Sequence, residues 1–129
     1  MDPINTRQDN RTYLRTIGDR GEDCVVQYLT DCGYRVIARN YNVPGVGELD
    51  IVLEKEGVLY ITEVKSRKNI GPYPHSAESV GFAKRKRIYN ATRRFMSARG
   101  YFDRDIVFLL GCVTHDDAGN ILKVEVIPF

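Results

Sequence analysis

The spacing of apolar residues divides the chain into helical and extended stretches. Over residues 16–32, Ile17, Gly21, Val25, Tyr28, Leu29 and Cys32 recur at steps of three and four, which predicts a helix with one buried stripe, stopped by Gly33. Gly18 and Gly21 each cost a helix interior about 1 kcal/mol relative to Ala, so they point to close approach by another element. Residues 34–38 read as a strand, and 39–46, with Pro44 and Gly45, as a loop. Two apolar runs, 48–53 and 58–65, follow as paired strands, and 69–81 is a Gly- and Pro-containing surface connection. A second helix reaches about Arg99 and ends near Gly100, with Ile88, Ala91 and Phe95 as its stripe, extended by Ala98. The nearly continuous apolar run 105–113 marks a central strand covered on both faces, and 121–127 closes the sheet. The order αβββαββ predicts an α/β sandwich: a mixed five-stranded sheet flanked by helices. Residues 1–12 are polar and aperiodic, which predicts a flexible arm ahead of one domain over 13–129.

Length and composition are consistent with one globular domain, since 129 residues with 43% hydrophobic and 28% charged positions can bury a core without a disorder-like bias. The N-terminus has no apolar signal region and no eighteen apolar residues run together, so secretion and membrane insertion are not expected and the cytoplasm is the expected location. Cys24, Cys32 and Cys112 form no Cys-x-x-Cys pair and read as reduced thiols filling apolar space. Charge changes the picture more. Between Lys65 and Arg99 stand ten basic residues and one acid, Glu78, so this segment carries +9 and the remainder −7 of the net +2. Such a segment suits a polyanion, and Arg67, Lys68, Lys84, Arg85 and Arg87 are the expected nucleic-acid contacts, together with the loop before the second helix.

The two central strands carry charge where apolar residues belong: Glu48 and Asp50 on the first, Glu63 and Lys65 on the second. A two-residue turn at Glu56-Gly57 would set Asp50 opposite Glu63, whereas a four-residue turn would set it diagonal; both keep Asp50, Glu63, Lys65 and Glu48 on one face. A five-residue loop would separate them. Glu22 lies at the shoulder of the first helix's stripe, able to point toward the sheet, although alone it reads as an acid complementing the helix dipole. Lys84 falls on the second helix's apolar stripe, while Arg85, Lys86 and Arg93 project toward solvent. Two carboxylates on adjacent strands suit Mg2+ or Mn2+, with Asp50 and Glu63 as ligands and the Val64 carbonyl a third; Glu22 could serve a second metal or a water. Lys65 could orient or deprotonate a water and Lys84 could meet developing negative charge, a set suited to phosphodiester hydrolysis. Glu48 could equally cap its strand or pair with Arg39. His75 and His115 lack ligand spacing, so zinc is not expected. Tyr73, Tyr89 and Tyr101 could stack on bases, with packing the simpler role.

Gly47-Glu48-Leu49-Asp50 followed by Glu63-Val64-Lys65 resembles the PD-(D/E)xK nuclease pattern. With Gly21-Glu22, Arg39-Asn40, Ser66-Arg67, Val80, Lys84, Ala91 and Asp105-Ile106-Val107, the chain from about Gly18 to Phe129 resembles the YraN-like family of bacterial proteins, related to Holliday-junction resolvases and restriction endonucleases. The resemblance implies a restriction-endonuclease-like fold, nucleic-acid binding and nuclease activity, with Glu22, Asp50, Glu63 and Lys65 at the site, Glu48 beside it and Lys84 as the second helix's lysine. Two positions depart from the pattern: Arg104 replaces an aromatic residue, which should weaken packing at the start of its strand, and Thr62 stands where Val is more frequent. The expected function is a metal-dependent endonuclease acting on DNA, recognising structure such as branches more than sequence. A homodimer would let two sites address two strands. The alternative is a nucleic-acid-binding module or adaptor that keeps the fold without turnover.

Overall fold

The periodicities resolve into two helices and five strands. The computed structural model describes residues 6–69 and 77–129, with side chains from Ile17 onward. The elements are α1 (Thr6–Asp31), β1 (Arg35–Val43), β2 (Gly47–Lys55), β3 (Val58–Lys68), a 3-10 turn (Ala77–Ser79), α2 (Phe82–Arg99), β4 (Ile106–His115) and β5 (Ile121–Pro128). The α/β class, the mixed five-stranded sheet and the order αβββαββ are those the spacing predicts. Strands lie in the order β1-β2-β3-β4-β5, all neighbours antiparallel except β3 and β4. That parallel pair requires a crossover, and α2 supplies it.

Element bounds differ from the apolar spacing at two places. Helix α1 starts at Thr6, so residues 6–12 of the expected arm carry helical backbone, while 1–5 lie outside the described residues. Helix, once nucleated, propagates through polar residues without needing a stripe. Strand β1 continues to Val43 and leaves only 44–46 as a turn. As a sheet edge it accepts Arg39, Asn40 and Asn42, which had suggested a loop. Most of the expected 69–81 connection, including Tyr73 and His75, lies outside the described residues at 70–76.

The hairpin takes the shorter of the two turns. Lys55 pairs with Val58, and Glu56 (φ 52°) and Gly57 (φ 81°) both adopt the positive φ that a type I′ turn demands.

Each helix covers one face. On the α1 side, Val25 and Leu29 pack with Ile51, Leu53 and Val113; on the α2 side, Ile88, Ala91 and Phe95 pack with Leu49, Val52, Ile61, Leu110 and Cys112. Tyr28, Cys32 and Ala98 are exposed, so the two stripes are narrower than expected and, of the thiols, Cys112 is buried, Cys24 half-buried and Cys32 open to solvent. Gly33 (φ 93°) and Gly100 (φ 72°) end the helices in the left-handed conformation as expected.

Helix α1 lies close to the β3–β4 seam. A Cβ on Gly21 would overlap Ser66 Oγ, and one on Gly111 would stand 2.9 Å from both methyls of Val25. Gly18 has no such neighbour among the described residues, so only Gly21 fulfils the expected close approach.

Arg104 does not weaken its strand. Its guanidinium pairs with Glu54 at 2.5 Å and lies 4.6 Å from the Tyr101 ring centroid, tying the start of β4 to β2. Thr62 is fully buried and its Oγ1 has no hydrogen-bond partner. Gly111→Ala should therefore lower stability by about 1–3 kcal/mol, the usual range for overpacking. Thr62→Val, which removes the unmet hydroxyl at constant shape, should raise it by about 1 kcal/mol; urea midpoints of the purified variants check both.

Candidate active site

Strands β2 and β3 are paired from the turn outward to Ile51 and Thr62, and their register sets Asp50 opposite Glu63. There the backbone ladder is replaced by side chains. Asp50 Oδ2 accepts from the Val64 N–H at 2.9 Å, and Glu63 Oε1 accepts a longer bond, 3.4 Å, from the Asp50 N–H. The local backbone explains how Asp50 reaches across. Leu49 packs on the α2 side and Ile51 on the α1 side, so the alternation of β2 breaks at Asp50. Beside it in β1, Asn40 stands at φ 49°, between Arg39, paired with Ile51, and Tyr41, paired with Leu49. A carboxylate at this break lies near the sheet plane, in reach of β3.

A cavity of about 280 Å³ opens over the pair, lined by Glu48, Asp50, Glu63, Lys84 and Arg87 with Gly47 and Ile88. Lys84 thus leaves α2 toward the sheet. Gly47 eases this closeness, since a Cβ there would stand 3.2 Å from the Arg87 carbonyl oxygen, tighter than ordinary contact. From the other helix, Glu22 lies within electrostatic reach of Asp50 and Glu48. It borders a second cavity, of about 270 Å³, with Val64, Ser66 and His115.

Glu63 is 2% exposed. Burial first, and then the Asp50 charge, push its carboxyl up to about 8, against the lowering effects of the Asp50 N–H and Lys84. Burial and then Asp50 also raise Glu22, with Arg39 opposing. Among the described residues, neither Asp50 nor Glu63 has an ion-pair partner. An all-oxygen pair of this kind, one member buried and not ion-paired with the nearby Lys84, could hold a hard divalent ion. No three His, Cys, Asp or Glu side chains among the described residues converge tightly enough to enclose a metal, so such an ion would retain water or substrate oxygens, as Mg2+ commonly does.

The structure therefore brings together Glu48, Asp50, Glu63, Lys84 and Arg87, with Glu22 approaching from the α1 side. Lys65 shares the α2 face with Glu63 through the alternation of β3, but its side chain is exposed and does not line the cavity. Arg39 pairs with Asp23 at 2.9 Å and with Glu22 at 3.8 Å, not with Glu48. Arg85 does not project freely into solvent: it donates to the carbonyls of Ala77 and Val80 and stacks over Phe129, fixing the entry to α2. Lys68 lies 3.9 Å from Asp117, and Arg67 is half-buried. His115 ends β4, buried, with Nδ1 at 2.9 Å from the Asp116 carbonyl oxygen. Tyr89 packs on Phe108 and Tyr101 near Phe95, so both serve packing.

A larger cavity adjoins the first and was not anticipated. It is lined by Phe82, Lys86, Arg87, Asn90, Arg93 and Arg94 of α2, facing the 44–46 turn. The signal was present in the helical spacing, since positions 82, 86, 90, 93 and 94 share a face that the apolar stripe does not use.

The family described as uncharacterised protein family UPF0102 matches residues 21–112, a span that contains Glu22, Glu48, Asp50, Glu63, Lys65 and Lys84. The chain belongs to the UPF0102 family. A UPF0102 protein of Dictyoglomus turgidum is 32% identical over 88% of this chain and 95% of its own length. Another, from Chloroherpeton thalassium, is 36% identical over 62% of this chain, and the match spans only 60% of that relative. Among solved structures, an FdxN element excision controlling factor protein from Anabaena variabilis is a distant likeness, with 16% identity, coverage of 84% of this chain and 98% of that one, and a TM-score of 0.36. No helix among the described residues of this UPF0102 chain is long and apolar enough to cross a membrane.

The Glu63 carboxyl gives the metal-free protein a pH signature. The folded state holds a proton to about pH 8 that an unfolded glutamate releases near 4.5. Stability from this group is thus complete below 4.5 and lost as pH rises through about 8, by at most about 1.4 kcal/mol per pH unit. Urea unfolding in chelator at successive pH values should show this decline, and Glu63→Gln should flatten it.

Proposed function

We propose that this chain is a metal-dependent phosphodiesterase that cuts DNA, an endonuclease of the PD-(D/E)xK kind with a restriction-endonuclease-like fold. The observation that carries the reading is the Asp50–Glu63 pair: two carboxylates at the point where two strands part, one of them buried, facing Lys84 across a cavity. A purely structural pair would gain more from apolar residues of similar volume than from a buried carboxylate that makes no ion pair with the facing Lys84.

In this reading Asp50 and Glu63 hold Mg2+ or Mn2+, which when bound polarises a phosphate oxygen and lowers the pKa of a coordinated water. The Val64 N–H fixes the orientation of the Asp50 carboxylate toward β3. Lys84 and Arg87 sit on the α2 side of the cavity, suited to a phosphate's negative charge. Glu22 and Glu48 add negative potential that draws a cation to the rim. Lys65, exposed on the face of Glu63, would donate its ammonium N–H groups to orient the attacking water or a phosphate oxygen once substrate covers the site. Contacts along α2 engage the backbone without reading bases, which favours recognition of DNA shape, such as a branch.

A second reading, a nucleic-acid-binding module without turnover, is favoured by the lack of a closed three-carboxylate set among the described residues and by the outward placement of Lys65.

Purified protein with duplex, flap and four-way-junction DNA should cleave in Mg2+ or Mn2+ and not in chelator. Asp50→Asn should abolish cleavage, and Lys65→Ala should slow it by about a hundredfold or more, the range for losing one hydrogen-bond donor to the transition state. Salt-sensitive binding with no metal-dependent cleavage of any substrate would instead establish the binding module.

A further inference from the structure

The larger cavity on α2, about 730 Å³, falls within the roughly 300–1,000 Å³ range of ligand clefts. It is not apolar. Lys86, Arg87, Arg93 and Arg94 line it, and all four are exposed and without ion-pair partners among the described residues. At the first turn of the helix stands Phe82, 84% exposed, more than any other large hydrophobic side chain among the described residues. Asn90, half-buried between these groups, offers a donor and an acceptor. Arg87 borders this cavity and the carboxylate cavity alike, and Gly47, which follows the 44–46 turn, packs on its backbone. The two cavities are therefore neighbours, with Arg87 on the boundary between them.

A row of unpaired cations is complementary to a phosphodiester backbone. An isolated, solvent-facing aromatic ring at its end is complementary to the face of a base, and only an unpaired base presents that face. We propose that this groove is a single-strand binding site, in which a nucleotide chain runs along Lys86, Arg87, Arg93 and Arg94 with an unpaired base stacked on Phe82. The substrate class is nucleic acid with a single-stranded segment next to the scissile phosphate. As regards cleavage, this rests on the function proposed above; as regards binding, it does not.

The geometry assigns distinct tasks to the lining groups. The cations hold the backbone and set the salt dependence. Phe82 discriminates unpaired from paired strands. Arg87, shared between the cavities, carries the chain from the groove to the carboxylates. Arg85 has no part in it, being engaged with the Ala77 and Val80 carbonyls.

The test is fluorescence anisotropy of the full chain in chelator, with a labelled oligothymidylate and a duplex of equal length. Single strand should bind more tightly than duplex, with a log–log salt slope of about −3 for four phosphate contacts. Arg93→Gln/Arg94→Gln should reduce that slope by about 1.4. Phe82→Ala should weaken single-strand binding about tenfold and leave duplex binding unchanged, and Phe82→Trp should restore it. Because Phe82 is exposed, these changes leave the core intact; circular dichroism and urea midpoints verify that. Equal affinity for duplex, an unaltered affinity in Phe82→Ala, or binding to phosphatidylglycerol vesicles in preference to oligothymidylate would overturn the proposal. The unmodified chain in Mg2+ or Mn2+ separates the two readings: single-strand binding that persists with no cleavage of any DNA would refute the nuclease alone, whereas cleavage retained without any single-strand preference would overturn the groove alone.

Discussion

Where β2 and β3 stop sharing backbone hydrogen bonds, two carboxylates take over, and the candidate site depends on that substitution. Asp50 and Glu63 each accept from a backbone N–H of the opposite strand or of its continuation, in place of the carbonyls a regular ladder would offer. A buried N–H needs an acceptor, and carboxyl oxygens supply one to each of these donors, the shorter bond going to Asp50. The arrangement satisfies the donors while concentrating negative charge, and the raised carboxyl of Glu63 shows how strongly burial and Asp50 oppose that concentration.

The layers on either side supply opposite charges. Helix α2 brings Lys84 and Arg87 to the cavity, and Gly47 permits the approach because no side chain intervenes. Helix α1 brings Glu22, held by Arg39, and Gly21 allows α1 to settle onto Ser66. The sheet rim is thus negative at its centre, bordered by cations on the α2 side. Small residues at Gly21, Gly47 and Gly111 set these distances, so packing and electrostatics are one constraint here.

Much of this was legible in the sequence because it depends on local rules. Glu56-Gly57 could make a two-residue turn, and from that turn the opposition of Asp50 and Glu63 follows by counting. The 3.6-residue period placed Lys84 on the sheet side of α2. The break in alternation at Asp50 was not legible, since it requires Asn40 in a left-handed conformation on a neighbouring strand, and a period-two reading assumes no such break. The partners of Arg85 and Arg39 were invisible for a related reason: long cationic side chains choose among several acceptors that only the tertiary fold brings near. The polar second half of strand β1 suits an edge, and an edge has the same polarity as a loop, so spacing alone ends the strand too early.

The tight turn at Glu56-Gly57 has one further consequence. Bringing two groups together costs chain entropy that grows with the logarithm of the intervening length. Asp50 and Glu63 are joined through one short hairpin, whereas Lys84 and Glu22 come from α2 and α1, farther along the chain, and reach them only when those helices dock on the sheet. The acidic pair is therefore the most locally encoded part of the constellation, and the flanking charges are the part that depends on global closure. A loosening of the outer layers would disperse the surrounding charges while the two carboxylates stayed neighbours.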